Sequence, residues 1–336
     1  MPTYLTQIAP QRSTQYSALA EHLAPIELAL SPFAERTSAS ELVTLGGQRY
    51  LRVTADAAID ELVRGHAGRL AATRAWFESR DEVGGEAGPW LRPLEVDAAS
   101  AWPEELVSAR RYKGKTNELF TRFLCNVARH SSAYANTAWG ELRLLDPLAG
   151  GGTTLFTALS LGADAYGVEK SLEDVQGTAA FFRQFCREAD IDCDEREERM
   201  KGIGRRWRFT RGAQTLVAAA GDAADAAKLL NGMKRPHLIV TDLPYGVQHN
   251  GPLLELLASA LPAWEAWLEP GGAIAFSWDA TRFAREQMIA HVERCCGLRV
   301  RRGEPYDAMA HAVDRVIKKR DVVVIDQANG GTRTMV

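Results

Sequence analysis

Residues 144–154 read Leu-Leu-Asp-Pro-Leu-Ala-Gly-Gly-Gly-Thr-Thr, and this stretch decides the fold. The residues that lead into it, 141–145, are typical of a strand, and the run Thr153–Leu161 predicts a helix. Three consecutive glycines between them let the backbone approach a ligand closely, because a side chain there would block it. The N–H groups at the start of the helix face the same turn. The stretch therefore predicts an α/β domain with a ligand site at this turn.

Three ligands compete for a glycine-rich turn of this kind. A phosphate-binding loop needs a lysine after its last glycine, and none follows Gly152. A dinucleotide site needs a third glycine where Leu155 stands. A carboxylate at the strand end, Asp146, suits the amino-acid end of S-adenosyl-L-methionine, so we expect this cofactor. The expected cofactor-binding residues of the turn are Asp146, Pro147, Ala149, Gly150, Gly151, Gly152 and Thr153.

Two acidic residues further along the chain fit the same cofactor. Glu169 ends the next predicted strand, where an acidic side chain hydrogen-bonds ribose hydroxyls. Asp222, followed by Ala223, ends the third strand, where a carboxylate accepts a hydrogen bond from the adenine amino group. Two other interpretations stay open: a helix N-cap for Asp222 and a solvated surface acid for Glu169.

A second motif follows the apolar strand His237–Thr241 and reads Asp242-Leu243-Pro244-Tyr245-Gly246. The Asp242 carboxylate and the Leu243 carbonyl are placed to accept the two protons of an exocyclic amine, whose nitrogen can then attack a sulfonium methyl group in line. Pro244 stiffens the loop, and Tyr245 offers a flat face for a base. This chemistry needs no metal ion and no covalent intermediate. The alternative is a turn with a capping aspartate.

The order of predicted elements divides the chain. Residues 1–80 show a βαββαβ order typical of a ferredoxin-like α+β domain, with Ile26–Leu30 as its second strand. Residues 81–108, rich in glycine and proline, are predicted to connect the domains. In residues 109–336 strands alternate with helices, which predicts a doubly wound parallel sheet, and the last two strands fit an antiparallel edge.

The two motifs resemble those of the amino-methyltransferase superfamily, which has a glycine-rich motif I and an Asp/Asn/Ser-Pro-Pro-Tyr/Phe motif IV. Within it they look most like the guanine-N2 RNA methyltransferases associated with THUMP domains. The resemblance implies a Rossmann-like class I methyltransferase domain that transfers a methyl group to guanine N2 in tRNA or other RNA. It also implies cofactor contacts from the start of the helix before motif I, at Thr116 and Asn117.

This sequence departs from the family pattern in two places. Leu243 stands where motif IV usually has proline, but the backbone carbonyl is the expected acceptor, so catalysis should survive. The N-terminal region is too short for a ferredoxin-like domain followed by a full THUMP domain. The RNA that is recognised is therefore not fixed by the resemblance.

Two basic clusters are candidates for contact with nucleic acid. One contains Lys113 and Lys115, and the other contains Arg205, Arg206, Trp207 and Arg208. Arginines next to an aromatic ring can pair with phosphates and stack on bases. A solvated helix end followed by a hairpin with core aromatics explains the second cluster equally well.

Composition narrows the function classes. A formal net charge of −3 excludes a strongly basic, histone-like nucleic-acid binder. The five cysteines show neither metal-ligand spacing nor a disulfide framework, and no apolar stretch approaches a membrane span. We expect a cytoplasmic enzyme with an RNA substrate, tRNA being the first candidate. The alternatives are a DNA adenine-N6 or cytosine-N4 methyltransferase and a binding module without activity, and the need for a small activator subunit stays open.

Overall fold

A computed structural model of the chain describes residues 1–11, 14–59, 61–97, 100–112, 114–200, 202–244, 251–313 and 318–327. The chain forms two compact units. The first contains Met1–Ala99 and Gly303–Val313, and the second contains Ser100–Arg302 and Asp314–Val336.

The first unit is an antiparallel sheet with helices. Its elements are β1 (Thr3–Ile8), α1 (Thr14–Leu30), a 3-10 helix (Pro32–Arg36), β2 (Thr37–Leu45), β3 (Gln48–Ala55), α2 (Glu61–Ala67), β4 (Thr73–Val83) and β5 (Glu86–Leu94). The strand order is β2-β3-β1-β4-β5, and all neighbours are antiparallel. The first four strands have the neighbour order of a ferredoxin-like sheet, and β5 extends it at one edge.

The predicted connection over residues 81–108 needs correction, because much of it is sheet. β4 continues to Val83, and β5 returns beside it to Leu94. The turn between them is made by Gly84 and Gly85, both with positive φ angles, which is the backbone that two-residue hairpins need. The glycines that indicated a linker therefore indicate a hairpin turn.

The second unit is built on one mixed sheet. Its elements are α3 (Glu105–Ser108), α4 (Glu118–His130), β6 (Arg143–Asp146), α5 (Thr153–Leu161), β7 (Asp164–Glu169), α6 (Leu172–Glu188), β8 (Asp194–Met200), β9 (Gly204–Arg211), β10 (Gln214–Ala220), α7 (Ala226–Leu229), β11 (Leu238–Asp242), α8 (Gly251–Trp267), β12 (Ala273–Asp279), α9 (Arg285–Cys295), β13 (Arg299–Val300) and β14 (Arg320–Asp326). The strand order is β13-β14-β12-β11-β6-β7-β10-β9-β8.

Five neighbouring strands of this sheet, β12, β11, β6, β7 and β10, are parallel. Strand β14 lies antiparallel to both β12 and β13 and so forms the antiparallel edge that the sequence predicts. From β6 the chain continues to β7 and β10 on one side and later to β11 and β12 on the other. The order therefore reverses between β6 and β11, and ligands of doubly wound sheets bind at such a reversal.

These features confirm the predicted fold class, a Rossmann-like doubly wound sheet of the class I methyltransferase type with a small α+β N-terminal domain. The residues of the central strands are nearly all buried and mostly apolar, and polar ones such as Asp242 and Ser277 lie towards the strand ends. The hairpin of β8 and β9 is an addition between β7 and β10, and it widens the sheet beyond β10.

The described residues contain neither a membrane-spanning helix nor a candidate metal-binding cluster. None of their helices is long and apolar enough to cross a membrane. Nor does that part of the chain bring together three histidine, cysteine or acidic side chains that could hold a metal ion.

Candidate active site

Four acidic residues that are far apart in the sequence lie along one edge of the sheet in the second unit. Asp146 ends β6 and Glu169 ends the neighbouring β7. Asp222 follows β10, and Asp242 ends β11. The carboxyl ends of parallel strands meet at one edge, so the fold gathers these acids beside the reversal of strand order.

The glycine-rich turn has the backbone geometry that its sequence predicts. Gly150 and Gly152 have φ angles of +47° and +86°, which favour glycine, and Gly152 caps the start of α5. The space beside Gly150 is open, because a side-chain carbon placed there would meet no other atom within 4 Å. A carbon added at Gly152 would approach the Thr178 methyl group to 3.0 Å. The turn therefore presents bare backbone at Gly150.

Arg110 and Tyr112, which were not among the expected cofactor-binding residues, close the turn at Gly151. The ring of Tyr112 lies so near Gly151 that an added carbon would be 2.3 Å from it. The Tyr112 hydroxyl hydrogen-bonds Thr153 Oγ1 at 2.5 Å, and Arg110 donates to the Gly151 carbonyl and to Thr178 Oγ1. Burial raises the pKa of Tyr112, so its hydroxyl stays protonated. A cofactor at this turn would therefore meet Gly150 rather than Gly151.

Asp146 is nearly inaccessible, with 3% of its surface exposed. Its Oδ1 accepts a hydrogen bond from Leu148 N at 3.0 Å. Burial raises the pKa of Asp146 to about 6, against the opposing hydrogen bond from Thr154. The carboxylate therefore changes charge close to neutral pH, and a cation beside it would favour the ionised form.

The other two expected cofactor acids hydrogen-bond the backbone. Glu169 accepts from Gly150 N and Ser171 N, each at 2.9 Å, so it braces the glycine turn and is more than a solvated acid. Asp222 accepts from Ala224 N at 2.9 Å and caps a 3-10 helix that begins at Ala223. The N-cap interpretation of Asp222 is thus confirmed. Contacts of both acids with ribose and adenine stay predictions.

Asp242 is held by donors from three separate elements. Thr116 Oγ1, just before α4, donates to Oδ2 at 2.6 Å, and Ser277 Oγ on β12 donates to Oδ1. Arg320, the first residue of β14, places Nη2 3.3 Å from Oδ2. The Arg320 guanidinium lies over the ring of Phe120, 4.6 Å from its centroid. The carboxylate is therefore fixed in one orientation.

Of the residues that follow Asp242 in the second motif, the structure describes Leu243 and Pro244. Leu243 N donates to the Ser277 carbonyl at 2.9 Å, and the Leu243 side chain is fully buried. No donor among the described residues reaches the Leu243 carbonyl, the expected second acceptor. Pro244 is exposed, and Tyr245 lies outside the described residues.

The capped start of α4 positions two side chains that contact Asp242 and its partner Arg320. Asn117 Oδ1 accepts from Phe120 N at 3.0 Å and caps the helix, which places Thr116 at Asp242 and Phe120 beneath Arg320. Cofactor contacts of Thr116 and Asn117 stay predictions. Lys113, in the same segment, lies outside the described residues.

The basic clusters need correction, because three of their side chains are engaged within the protein. Lys115 pairs with Glu118 at 2.6 Å and donates to the Val107 carbonyl, with 14% of its side chain exposed. It therefore fastens the segment before α4 instead of presenting a free charge.

Arg206 and Trp207 are buried within the β8–β9 hairpin. Arg206 hydrogen-bonds Glu198 at 2.7 Å and donates to carbonyls at the end of α7, while Trp207 lies on the opposite face of the strand. The interpretation as a hairpin with core aromatics is right for these two residues. Arg205, with 39% of its side chain exposed, and the half-buried Arg208 remain candidates for contact with RNA.

Sequence reasoning missed Arg320 and Ser277. Ser277 carries a usable signal, since it is a polar residue between Phe276 and Trp278 at the carboxyl end of an apolar strand. Arg320 ends the run Lys318-Lys319-Arg320, which is typical of a solvated loop. Its place beside Asp242 follows from the antiparallel return of β14 beside β12, where Arg320 lies opposite Asp279.

Comparison with known proteins gives no family. No family model matches the chain, and no curated protein matches it. Similar solved structures include TrmN from Thermus thermophilus, at 13% identity and a TM-score of 0.47, over 97% of this chain and 99% of that chain. The T. thermophilus 16S rRNA N2 G1207 methyltransferase RsmC matches at 14% identity and 0.37, over 88% and 60%. A TehB-like SAM-dependent methyltransferase from Corynebacterium glutamicum matches at 14% and 0.35, over 55% and 80%. Similarities of this size do not assign the chain to a family.

Proposed function

We propose that this protein transfers a methyl group from S-adenosyl-L-methionine to an exocyclic amine of a nucleobase, with guanine N2 in RNA as the target. One observation carries the proposal: the Asp242 carboxylate is fixed at the edge of the sheet directly before the Leu243 carbonyl, which no described donor reaches. The glycine-rich turn and Asp146 lie at the same edge.

The residues at this edge fit the cofactor. The bare backbone at Gly150 leaves room for a close approach, and Asp146 can accept a hydrogen bond from an ammonium group. Glu169 ends β7, where ribose hydroxyls are bound in such sheets, and the exposed Asp222 follows β10. When bound, the cofactor supplies an electrophilic sulfonium methyl group.

The chemistry of the target explains the arrangement around Asp242. The lone pair of an exocyclic amine is delocalised into the ring, which makes the nitrogen a poor nucleophile. If Asp242 and the Leu243 carbonyl each accept one N–H, the nitrogen moves towards a tetrahedral geometry and its lone pair becomes available. The nitrogen held by these two acceptors would then be aligned to take the methyl group, with S-adenosylhomocysteine as the leaving group and one N–H proton released to water. Fixed donors at Asp242 keep this acceptor ready without rearrangement.

The choice of guanine in RNA rests on the resemblance of the two motifs and on Leu243, which looks more like the RNA enzymes than the DNA enzymes. The exposed Arg205 and the half-buried Arg208 on the added hairpin offer charges for a phosphate backbone. Only the same resemblance of the two motifs supports tRNA as the particular RNA substrate.

The proposal is tested by supplying purified protein with methyl-labelled S-adenosyl-L-methionine and either total RNA or total DNA. We expect label in RNA, recovered as N2-methylguanosine after digestion to nucleosides. Label in DNA alone would support the DNA adenine or cytosine alternative and contradict the RNA proposal. RNA from a strain without the protein, compared with its parent by mass spectrometry, then identifies the modified position.

A further inference from the structure

Arg320 is a buried cation at the proposed active site. Only 4% of its side chain is exposed, compared with 14% for Asp242. A buried guanidinium needs a counter-ion, and removing one partner of such a pair leaves an uncompensated charge. The stack on Phe120 covers one face of the guanidinium and restricts its position.

Arg320 connects β14, the last strand in the sequence, with Asp242 at the end of β11. Arg320 and Asp321 are consecutive on β14, so their side chains point to opposite faces of the sheet. Arg320 lies on the face of α4, over Phe120, whereas Asp321 pairs with Arg285 of α9 at 3.0 Å. The two ion pairs are similarly buried, but only one contains a proposed catalytic residue.

We infer that Arg320 is a positioning residue for the reaction. It acts through Asp242, because its Nη2 and the Thr116 hydroxyl both reach Oδ2 while the Ser277 hydroxyl reaches Oδ1. Donors on both oxygens prevent rotation of the carboxylate about its Cβ–Cγ bond. The inference rests on the proposed function and adds to it a residue that neither motif contains.

The experiment compares Arg320→Gln with a matched variant, Arg285→Gln, which breaks the neighbouring ion pair away from Asp242. Arg320→Lys is the conservative variant, since lysine keeps the charge but loses the planar guanidinium. The turnover number with RNA, the dissociation constant of S-adenosylhomocysteine and the melting temperature are measured for each, with activity assayed well below every melting temperature.

We expect Arg320→Gln to lower the turnover number about 10- to 100-fold, because a displaced acceptor is costly to a reaction that depends on alignment. Its affinity for S-adenosylhomocysteine should stay within about threefold of the wild-type value, since Arg320 acts at the carboxylate that receives the amine. Arg320→Lys should recover part of the rate. Arg285→Gln should lower the melting temperature and leave the turnover number unchanged.

Three outcomes would overturn the inference alone, and they differ from a failure of the proposed function. Wild-type turnover in both Arg320 variants, with only the melting temperature lowered, would make the pair purely structural. An equal loss of turnover in Arg285→Gln would show that loss of stability, not alignment of Asp242, explains the effect. If Arg320→Gln does not fold, a wild-type rate in Arg320→Lys overturns the inference alone. A wild-type protein without any methyl transfer would overturn the proposed function and the inference together.

Discussion

At the scale of single residues, Asp242 pairs with Arg320 and is proposed to accept a proton of the target amine. One substitution tests both roles without removing an expected cofactor contact. In Asp242→Ala the side chain loses both the oxygen atoms that would accept an amine proton and the charge that pairs with Arg320. We expect methyl transfer to fall at least about 100-fold, in line with the loss of one fixed electrostatic contact in an active site. We also expect the free energy of unfolding to drop by about 3 kcal/mol, because the buried Arg320 keeps its charge and loses the Asp242 carboxylate.

Cofactor titration by calorimetry provides the control for Asp242→Ala. Affinity for S-adenosylhomocysteine should stay within about threefold of wild type, since the expected cofactor contacts lie after β6, β7 and β10 and before α4, and do not include Asp242. A large loss of cofactor affinity would contradict the role given to Asp242.

If Asp146 binds the cofactor as proposed, binding should depend on pH. Its pKa in the folded protein is about 6, above the ordinary value of 3.8, because burial disfavours the charge. If the ionised carboxylate binds the ammonium group, affinity for S-adenosylhomocysteine should fall as the pH drops through 6, by about tenfold between pH 7 and pH 5.

The same shift has the opposite effect on folding. The folded protein holds the Asp146 proton in the window from about pH 4 to about pH 6, where the unfolded chain has lost it. This group therefore favours folding at the acid end of the window, and its contribution is lost as the pH rises through about 6.

Asp146→Asn should bind the cofactor weakly and show no change of affinity between pH 7 and pH 5. A wild-type affinity that is flat over this range would remove Asp146 from the cofactor site.

Gly152 and Gly232 allow a matched test of the glycine-rich turn. Their φ angles are +86° and +85°, but a side chain at Gly152 meets Thr178 at 3.0 Å, whereas one at Gly232 meets nothing within 4 Å. Valine at either position should cost at least about 1–2 kcal/mol of unfolding free energy, because both are left-handed. We expect only Gly152→Val to abolish binding of S-adenosylhomocysteine. Equal affinity in the two variants would place the cofactor elsewhere.

At the scale of elements, the β8–β9 hairpin separates structural from exposed arginines. Arg206→Glu places a carboxylate next to Glu198 and should lower the free energy of unfolding by about 3–5 kcal/mol in denaturant titrations. Arg205→Glu should change it by less than about 0.5 kcal/mol, since Arg205 is more exposed and its nearest carboxylate oxygen, on Glu197, is 3.9 Å away.

The same hairpin tests contact with RNA. If Arg205 and Arg208 pair with phosphates, their double charge reversal should weaken RNA binding and reduce the slope of log affinity against log salt by about 1 for each contact. The slope is measured by fluorescence anisotropy across salt concentrations. A slope equal to that of wild type would remove the hairpin from the RNA interface.

Some helices and strands could be predicted from the sequence pattern, and others could not. The central strands were predictable, because apolar runs followed by acids or glycines mark buried parallel strands. The apolar run Ile26–Leu30 was wrongly predicted as a strand, although it is the end of α1. Such a run has no distinctive period, and the buried Glu27 within it accepts from Ala71 N and Ala72 N of a distant segment. Only that long-range contact reveals the role of the helix end.

The candidate site was predictable for a related reason. Asp146, Glu169, Asp222 and Asp242 each stand at the end of a predicted strand, and a parallel sheet must gather strand ends at one edge. Arg320 could not be predicted, because its partner lies 78 residues away in the sequence and its own surroundings are typical of a loop.

At the scale of the whole molecule, the segment Gly303–Val313 belongs to the first compact unit although it is remote from it in sequence. Within this segment Met309 is fully buried, and the ring of His311 lies 6.5 Å from that of His22 on α1. A fragment that starts at residue 100 should therefore expose this segment. We expect limited proteolysis to cut the fragment within residues 303–313 and to leave the full chain intact there. A fragment that resists cleavage at this segment would contradict the division into units.

We propose that Asp242 enables methyl transfer to an exocyclic amine of a nucleobase. The most direct test of this proposal measures methylated nucleosides by mass spectrometry after RNA is incubated with S-adenosyl-L-methionine and either wild-type protein or Asp242→Ala. The structure leads us to expect N2-methylguanosine with wild type and at least about 100-fold less with the variant. Methylation of a ribose or a ring carbon, no methylated nucleoside at all, or equal yields from the two proteins would contradict the claim.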